Sequence, residues 1–191
     1  MNFKNIFLII IIFITGCSDK KTKNINLIQF LPDGKIGTKY ISFFTHTGNN
    51  IIKEEKTIIA RTNKCVTFDV VLKKDDHIES QNKRQLCANN NVLYYDKGYT
   101  NEPLVDLNKK YWSGYKMYIG GKETEMVCEL DSIGKIIFNT KVYDTIVIKC
   151  KAKDMVITFV YAKGLGLVKT KQVVDNYGVV GGINLDSVHI K

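Results

Sequence analysis

Five cysteines offer the widest choice of chemistry in this chain of 191 residues. A thiol can carry an acyl group, ligate a metal, act as a nucleophile or pair with a second thiol in a disulfide. Cys17 stands alone near the start of the chain. The other four form two groups with the same spacing, because 21 residues separate Cys65 from Cys87 and 21 separate Cys128 from Cys150.

The residues before Cys17 have the pattern of an export signal. Lys4 is followed by an apolar run from Ile6 to Ile14, a small residue at Gly16 and then the polar stretch SDKKTKNIN. A charged start, a short apolar core and a small residue before the cut are typical of a signal peptide. The run is well short of the roughly 20 residues that a membrane-spanning helix needs.

The residues Ile14-Thr15-Gly16-Cys17 resemble the lipobox of bacterial lipoproteins. The resemblance implies that the Gly16–Cys17 bond is cut and that Cys17 receives a diacylglyceryl thioether and further acylation, with chains such as palmitate. Several acyl chains hold a protein on a membrane far more firmly than one. Under the sorting rule of that family, Ser18 after the cysteine implies the outer membrane of a two-membrane bacterium. An ordinary cleaved signal and an uncleaved anchor are the alternatives.

These features divide the chain into three parts. Residues 1–16 form the predicted signal peptide, 17–26 the lipidated cysteine and a flexible tether, and 27–191 a single β-rich domain. The mature chain of 175 residues is long enough for one domain with a real core.

Export to an oxidising compartment predicts that the four remaining cysteines form disulfides. Three pairings are possible. We favour Cys65 with Cys87 and Cys128 with Cys150, because all four lie in strand-like sequence and each pair could cross-link neighbouring strands. The competing zinc site lacks a Cys-x-x-Cys pair, and the three histidines lie far apart in the sequence. No metal and no other cofactor is expected.

The other candidate motifs favour structural roles. The sequence GLGLVK at Gly164–Lys169 continues into a strand, whereas a phosphate loop needs a helix after its glycines. DGKIGTK at Asp33–Lys39 has the composition of a turn. No GxSxG, HExxH or Asp-rich metal loop accompanies the histidines, so no enzyme and no catalytic residue is predicted. The histidines are His46, His77 and His189.

The formal charge of +9 comes from small, scattered groups of lysines with acids between them. Nucleic-acid binding would favour a clustered basic face, and an exported lipoprotein rarely meets nucleic acid, so none is expected as a partner. A solvated basic surface is one interpretation. Attraction to anionic lipid headgroups or acidic envelope polymers is the other.

The sequence of the domain indicates an all-β fold, possibly with one short helix; the stretch from Leu104 to Lys110 could form a single helical turn or an irregular crossing. Short runs rich in Ile, Val, Tyr, Phe and Thr alternate with Gly, Asn and Asp turns, which favours an antiparallel meander that curls into a half-closed or closed barrel. The predicted strands cover residues 39–45, 51–61, 65–72, 85–87, 92–95, 115–119, 124–130, 134–140, 142–150, 155–162, 165–174 and 183–190.

The stretch from Tyr118 to Lys171 resembles the end of the LolA/LolB-like lipoprotein carriers. The similarity rests on YIGGKETEMVCELDSIGKIIFNTKVYDTIVIKC and FVYAKGLGLVKTK. It implies a curved antiparallel sheet around an apolar concavity, which in that group often receives lipid or acyl chains, and it carries over no catalytic residue.

Two functions follow from these observations. The first is a non-catalytic, membrane-anchored lipoprotein that binds an apolar, lipid-like ligand or an envelope protein. The second is a structural accessory subunit of an envelope assembly with no ligand cavity. An empty concavity lined by large apolar side chains would favour a ligand carrier. A filled core with an exposed aromatic patch would favour the accessory subunit. The patch would come from Tyr94, Tyr95, Tyr99, Tyr111, Trp112, Tyr115 and Tyr118.

Overall fold

The computed structural model describes residues 25–46, 51–96, 103–119, 122–175 and 178–190. The predicted signal peptide, Cys17 and most of the tether lie outside this part of the chain. In the described residues, twelve strands form one antiparallel sheet. The strands are β1 Lys39–His46, β2 Ile51–Arg61, β3 Cys65–Lys74, β4 His77–Ala88, β5 Val92–Asp96, β6 Pro103–Asp106, β7 Tyr111–Ile119, β8 Lys122–Phe138, β9 Lys141–Ala152, β10 Met155–Ala162, β11 Gly166–Val174 and β12 Gly178–His189.

The sheet is a meander that curls into a nearly closed barrel, which confirms the predicted fold class. The first six strands pair in chain order, the last six do the same, and β12 pairs with β1. The edge strands are therefore β6 and β7, which follow one another along the chain across the turn 107–110. The two edges are thus joined covalently at one end of the barrel.

Alternating side chains give the strands an inner and an outer face. On β10, Met155, Ile157, Phe159 and Tyr161 are buried and face the lumen. Across the barrel, Val66, Phe68 and Val70 of β3 are buried in the same way. These side chains belong to one continuous hydrophobic core inside the barrel.

The chain entering the domain packs into one end of the barrel. A 3₁₀ turn at Leu27–Phe30 places Leu27, Phe30 and Leu31 in the core. The amide of Leu27 donates to the carbonyl of Asn90 (3.0 Å), and that of Asp33 to the carbonyl of Gly164 (2.8 Å). We call residues 27–33 the plug, the end of the barrel that they occupy the plug end, and the opposite end the distal end.

Two glycines allow the plug to lie close to the β10–β11 turn. Gly164 and Gly166 have φ of +76° and +77°, a region that side chains disfavour. A Cβ on Gly164 would lie 2.7 Å from Asp33 Oδ2, and one on Gly166 would lie 2.9 Å from Pro32 Cγ. The sequence GLGLVK is thus a turn and a strand start, as predicted.

Both disulfides join residues that stand directly opposite on neighbouring antiparallel strands. Cys65 of β3 bonds to Cys87 of β4, and Cys128 of β8 bonds to Cys150 of β9. These are the pairs that the sequence favours. Each disulfide therefore fixes the register of one hairpin.

Several local predictions differ from the structure. Residues 104–110 contain the strand β6 and a turn, where a helical turn or an irregular crossing was expected, and the one short helical turn among the described residues is the plug. Strand β4 begins at His77, eight residues before the predicted start. The predicted strand 124–130 and residues 134–138 of the next one are parts of one strand, β8, with a register shift between Leu130 and Ser132, and residues 139–140 form the turn after it.

Candidate functional site

A charged cluster lies on the inner face of the barrel. Glu54 and Lys56 share a face of β2 with the buried Ile58, and the register places them opposite Ser42 and Tyr40 of β1. Lys56 Nζ lies 2.8 Å from Glu54 Oε2, and Arg84 Nη1 of β4 lies 3.6 Å from Glu54 Oε1. The cluster carries one acid and two bases, so its net charge is positive.

Burial in this cluster increases from Arg84 toward Glu54. The side chain of Arg84 is 40 % exposed, that of Lys56 15 % and that of Glu54 4 %. A buried carboxylate needs such partners, because an unpaired charge away from water is costly. The guanidinium of Arg84 also donates from Nε to Asn82 Oδ1 (3.2 Å), so the polar strip continues along β4.

Ser42 adds an unsatisfied group to this wall. Its hydroxyl is fully buried and has no hydrogen-bond partner among the described residues. The residue opposite Ser42 on β2 is Glu54, and on β12 it is the buried Leu185. One wall of the lumen is therefore polar and charged at mid-height, while the facing wall of β9 and β10 is apolar.

The lumen is filled where it meets the plug. The recess there measures about 20 Å³, which is room for about one water molecule. Its lining includes Pro32 of the plug, Tyr40, Phe68 and Tyr161, and Lys56 reaches it from the charged cluster. Burial raises the pKa of Tyr40 to about 12. An acyl chain does not fit into this part of the barrel.

A second cluster lies on the outer face of the same strands. Glu55 accepts hydrogen bonds from Lys39 (3.3 Å) and Lys73 (3.1 Å), and Lys53 Nζ lies 2.8 Å away. The hydrogen bond from Lys53 is the largest reason why the pKa of Glu55 falls to about 2. Three lysines converge on one carboxylate, which is a structural arrangement that ties β1, β2 and β3 together.

The structure places His77 and His189 at opposite ends of the barrel. His77 begins β4 at the distal end, whereas His189 ends β12 at the plug end. His189 Nε2 lies 3.1 Å from Ser187 Oγ on the exposed surface. The side chain of His46 lies outside the described residues. All four cysteines of the domain are in disulfides, and the described residues contain no group of three or more His, Cys, Asp or Glu placed to hold a metal.

The aromatic residues do not form one exposed patch in the part that can be described. Trp112 is buried, and its Nε1 has no hydrogen-bond partner among the described residues. Tyr111 is exposed, while Tyr94 and Tyr95 are half-buried. Tyr99 and the side chains of Tyr115 and Tyr118 lie outside the described residues.

Sequence reasoning missed the lumenal cluster although the signal was present. The predicted strand 51–61 alternates so that Ile52, Glu54, Lys56 and Ile58 must share a face. The partner Arg84 was hidden, because the strand that carries it was predicted to begin only at Gln85.

Comparisons with known proteins identify the fold. No family model matches the chain, and no curated protein matches it. Two crystal structures do. The first is a protein from Bacteroides fragilis, inferred to be exported and described as having a YmcC-like fold, with 8 % identity, a TM-score of 0.57, and coverage of 83 % of this chain and 98 % of the other. The second is a protein from Parabacteroides distasonis, inferred to be a lipoprotein, with 14 % identity, a TM-score of 0.55, and coverage of 87 % and 100 %.

At these identities the likeness is one of fold. The matches cover 83 % and 87 % of this chain and almost all of each solved chain, so most of the barrel has counterparts in both structures. The similarity to LolA/LolB-like carriers stays a prediction. No helix in the described part of the chain is both long and apolar enough to cross a membrane.

Proposed function

We propose that this chain is a non-catalytic lipoprotein of the bacterial cell envelope, anchored through acyl chains on Cys17, whose barrel serves as a docking subunit for envelope partners. The narrow recess where the lumen meets the plug supports docking over ligand transport. The recess beside the plug holds about 20 Å³, and nearer its middle the lumenal wall carries Glu54, Lys56 and Arg84. An acyl chain would have to desolvate these charges.

Anchoring is supported by the signal pattern that ends at Cys17 and by the fold. The fold is shared with one protein inferred to be exported and one inferred to be a lipoprotein. Two disulfides within the barrel suit an oxidising compartment outside the cytoplasm. Ser18 after the cysteine favours the outer membrane as the location.

The anchor is tested by mass spectrometry of the mature protein and by membrane washing. We expect the amino-terminal peptide to begin at Cys17 and to carry the mass of a diacylglyceryl group and an acyl chain. Cys17→Ala should prevent lipid attachment and cleavage at Gly16. An unmodified Cys17 in the mature wild-type protein would overturn the anchor.

Docking is tested separately by native mass spectrometry of the lipidated protein released gently from membranes. We expect the mass of the chain and its covalent lipid, with no further lipid. A second lipid of defined mass that stays bound to the barrel would contradict the docking role and favour a carrier. A change in the amount of that lipid in Lys56→Met, with no change in Lys64→Glu, would map it to the lumen and not to the plug end.

A further inference from the structure

The described connections at the two ends of the barrel carry net charges of opposite sign. Because the sheet is a meander, successive turns fall alternately at the plug end and the distal end. The plug-end connections are 33–37, 62–64, 89–91, 107–110, 139–140 and 163–165, and the described distal ones include 75–76, 153–154 and 175. The plug-end connections contain five lysines and one aspartate, whereas the described distal connections contain four aspartates and one lysine.

Each charged residue of the plug-end connections is exposed to solvent. Four of the six connections at this end contribute at least one lysine, and the difference between five lysines and one aspartate is a net charge of +4. Asp106, at the end of β6, lies 3.7 Å from Lys109 and partly offsets it. The lysines are Lys35, Lys64, Lys109, Lys110 and Lys163, and the aspartate is Asp33.

The chain enters the domain at the basic end. Leu27 is the first residue of the plug, so the ten residues 17–26 predicted to link lipid and barrel arrive there. Ten residues span at most about 34 Å when fully extended. This length keeps the plug end within reach of the bilayer that holds the lipid. The linking stretch itself carries three further lysines and one aspartate.

A shallow recess at this end has the donors that a phosphate-bearing headgroup needs. It measures about 350 Å³ and is lined by Ile28 of the plug, Lys64 and four asparagines. An ammonium group and side-chain amides can all donate hydrogen bonds to phosphate oxygens. The asparagines are Asn89, Asn90, Asn91 and Asn108.

Exposed apolar side chains do not distinguish the two ends. Ile36 and Ile190 lie at the plug end, and Ile78 and Val179 lie at the distal end. The sign of the charge does distinguish them. Anionic lipid headgroups attract clustered lysines within a few ångströms of a bilayer. A tether between the lipid and the barrel also raises the effective concentration of the plug end at the bilayer surface.

We propose that the plug end docks on the anionic lipid headgroups of the bilayer in which the chain is anchored. The barrel then stands upright, with its distal end and the aspartates of the described distal connections directed away from the membrane. This orientation rests on the lipid anchor of the proposed function, but it requires in addition that the bilayer carry negative charge.

The test is amine labelling of the full lipidated protein on bilayers of two compositions. One bilayer contains only phosphatidylcholine, and the other contains one third phosphatidylglycerol. Labelling of each lysine by an acylating reagent is read by peptide mass spectrometry. We expect labelling of Lys64 and Lys163 to fall at least threefold on the anionic bilayer, while labelling of Lys83 and Lys153 stays unchanged. The protection should disappear at 1 M salt, where charges are screened.

Two variants with the same charge change provide the matched control. Lys64→Glu with Lys163→Glu should abolish the remaining protection of Lys35, whereas Lys83→Glu with Lys171→Glu on the barrel wall should preserve it. All four lysines are exposed, so their side chains can be replaced without disturbing the core. The backbone hydrogen bonds of these residues are kept in the variants. Both variants should stay anchored, because the lipid is untouched.

The outcomes separate docking from anchoring. Loss of the wild-type protein from both bilayers would contradict the lipid anchor itself. Stable anchoring with equal labelling on the two bilayers would overturn the docking of the plug end. Protection that appears only in native envelope membranes and is absent from the anionic bilayer would also overturn it, and would assign this surface to an acidic protein.

Discussion

The carboxylate of Glu54 makes the stability of the barrel sensitive to a single charge. Glu54→Gln preserves the shape of the side chain but removes the counter-ion of Lys56, 2.8 Å away, and of Arg84, 3.6 Å away. Breaking a buried pair in this way costs about 3–5 kcal/mol. Arg84 is 40 % exposed and can be rehydrated, so we expect the lower limit, a decrease of about 3 kcal/mol in the free energy of unfolding.

A second substitution should recover part of that loss. Lys56→Met alone leaves Glu54 with only Arg84 at 3.6 Å and should cost about 2 kcal/mol. With Glu54→Gln and Lys56→Met together, the buried ammonium is gone, and a cost of about 2 kcal/mol or less is expected. The cost of the double variant should therefore fall about 3 kcal/mol below the sum of the single costs, which is strong coupling for one pair.

The assay is urea unfolding with both disulfides intact. Trp112 is the one tryptophan of the chain and is buried, so its fluorescence reports exposure of the core. Circular dichroism of the strands should give the same midpoint if unfolding is two-state. A change below 0.5 kcal/mol for Glu54→Gln, taken as roughly the scatter of surface substitutions, would refute the reasoning. Glu54 would then be solvated, and the lumen would be open to water at mid-height.

Three further predictions follow from other contacts. Replacing Cys65 and Cys87 by alanine should lower the free energy of unfolding by about 3 kcal/mol in urea, and an unchanged midpoint would contradict this. Gly166→Ala should cost about 2 kcal/mol, because φ is +77° and the new Cβ meets Pro32; Gly178→Ala, with φ of +68° but open space, should cost less. Glu55 should stabilise the barrel by about 1 kcal/mol above pH 4.5, because its pKa in the folded state is lowered to about 2. This stabilisation is lost as the pH falls from 4.5 toward 2. In Glu55→Gln the free energy of unfolding should therefore depend less on pH over that range, and an unchanged pH dependence would contradict this.

The strands that the sequence predicts best are those with an apolar inner face. Residues 155–162 alternate between buried and half-buried positions, and the structure has β10 over the same residues. Strand β4 shows the opposite case. Its first eight residues, HIESQNKR, lack apolar alternation because their inner positions face the charged part of the lumen. A strand whose inner face is polar therefore shows no hydrophobic periodicity, and a sequence analysis based on that periodicity misses it.

The position of each charge around the barrel could not be predicted from the sequence, for a different reason. Period-two alternation assigns Glu54 and Lys56 to one face, but it does not say which strand faces them. Arg84 reaches Glu54 across β3, which requires the register of two strand pairs. The opposite charges of the two ends depend on counting every strand, so a single missed strand would move each later turn to the wrong end.

The disulfides and the plug hold different parts of the barrel together. Each disulfide lies within one half, since Cys65–Cys87 joins β3 to β4 and Cys128–Cys150 joins β8 to β9. Neither crosses the junction where β1 pairs with β12. The plug does bridge the halves, because it binds the β4–β5 turn through Asn90 and the β10–β11 turn through Gly164. The residues that continue the predicted tether therefore also join the two halves, so a pull on the proposed lipid anchor would be borne by the plug.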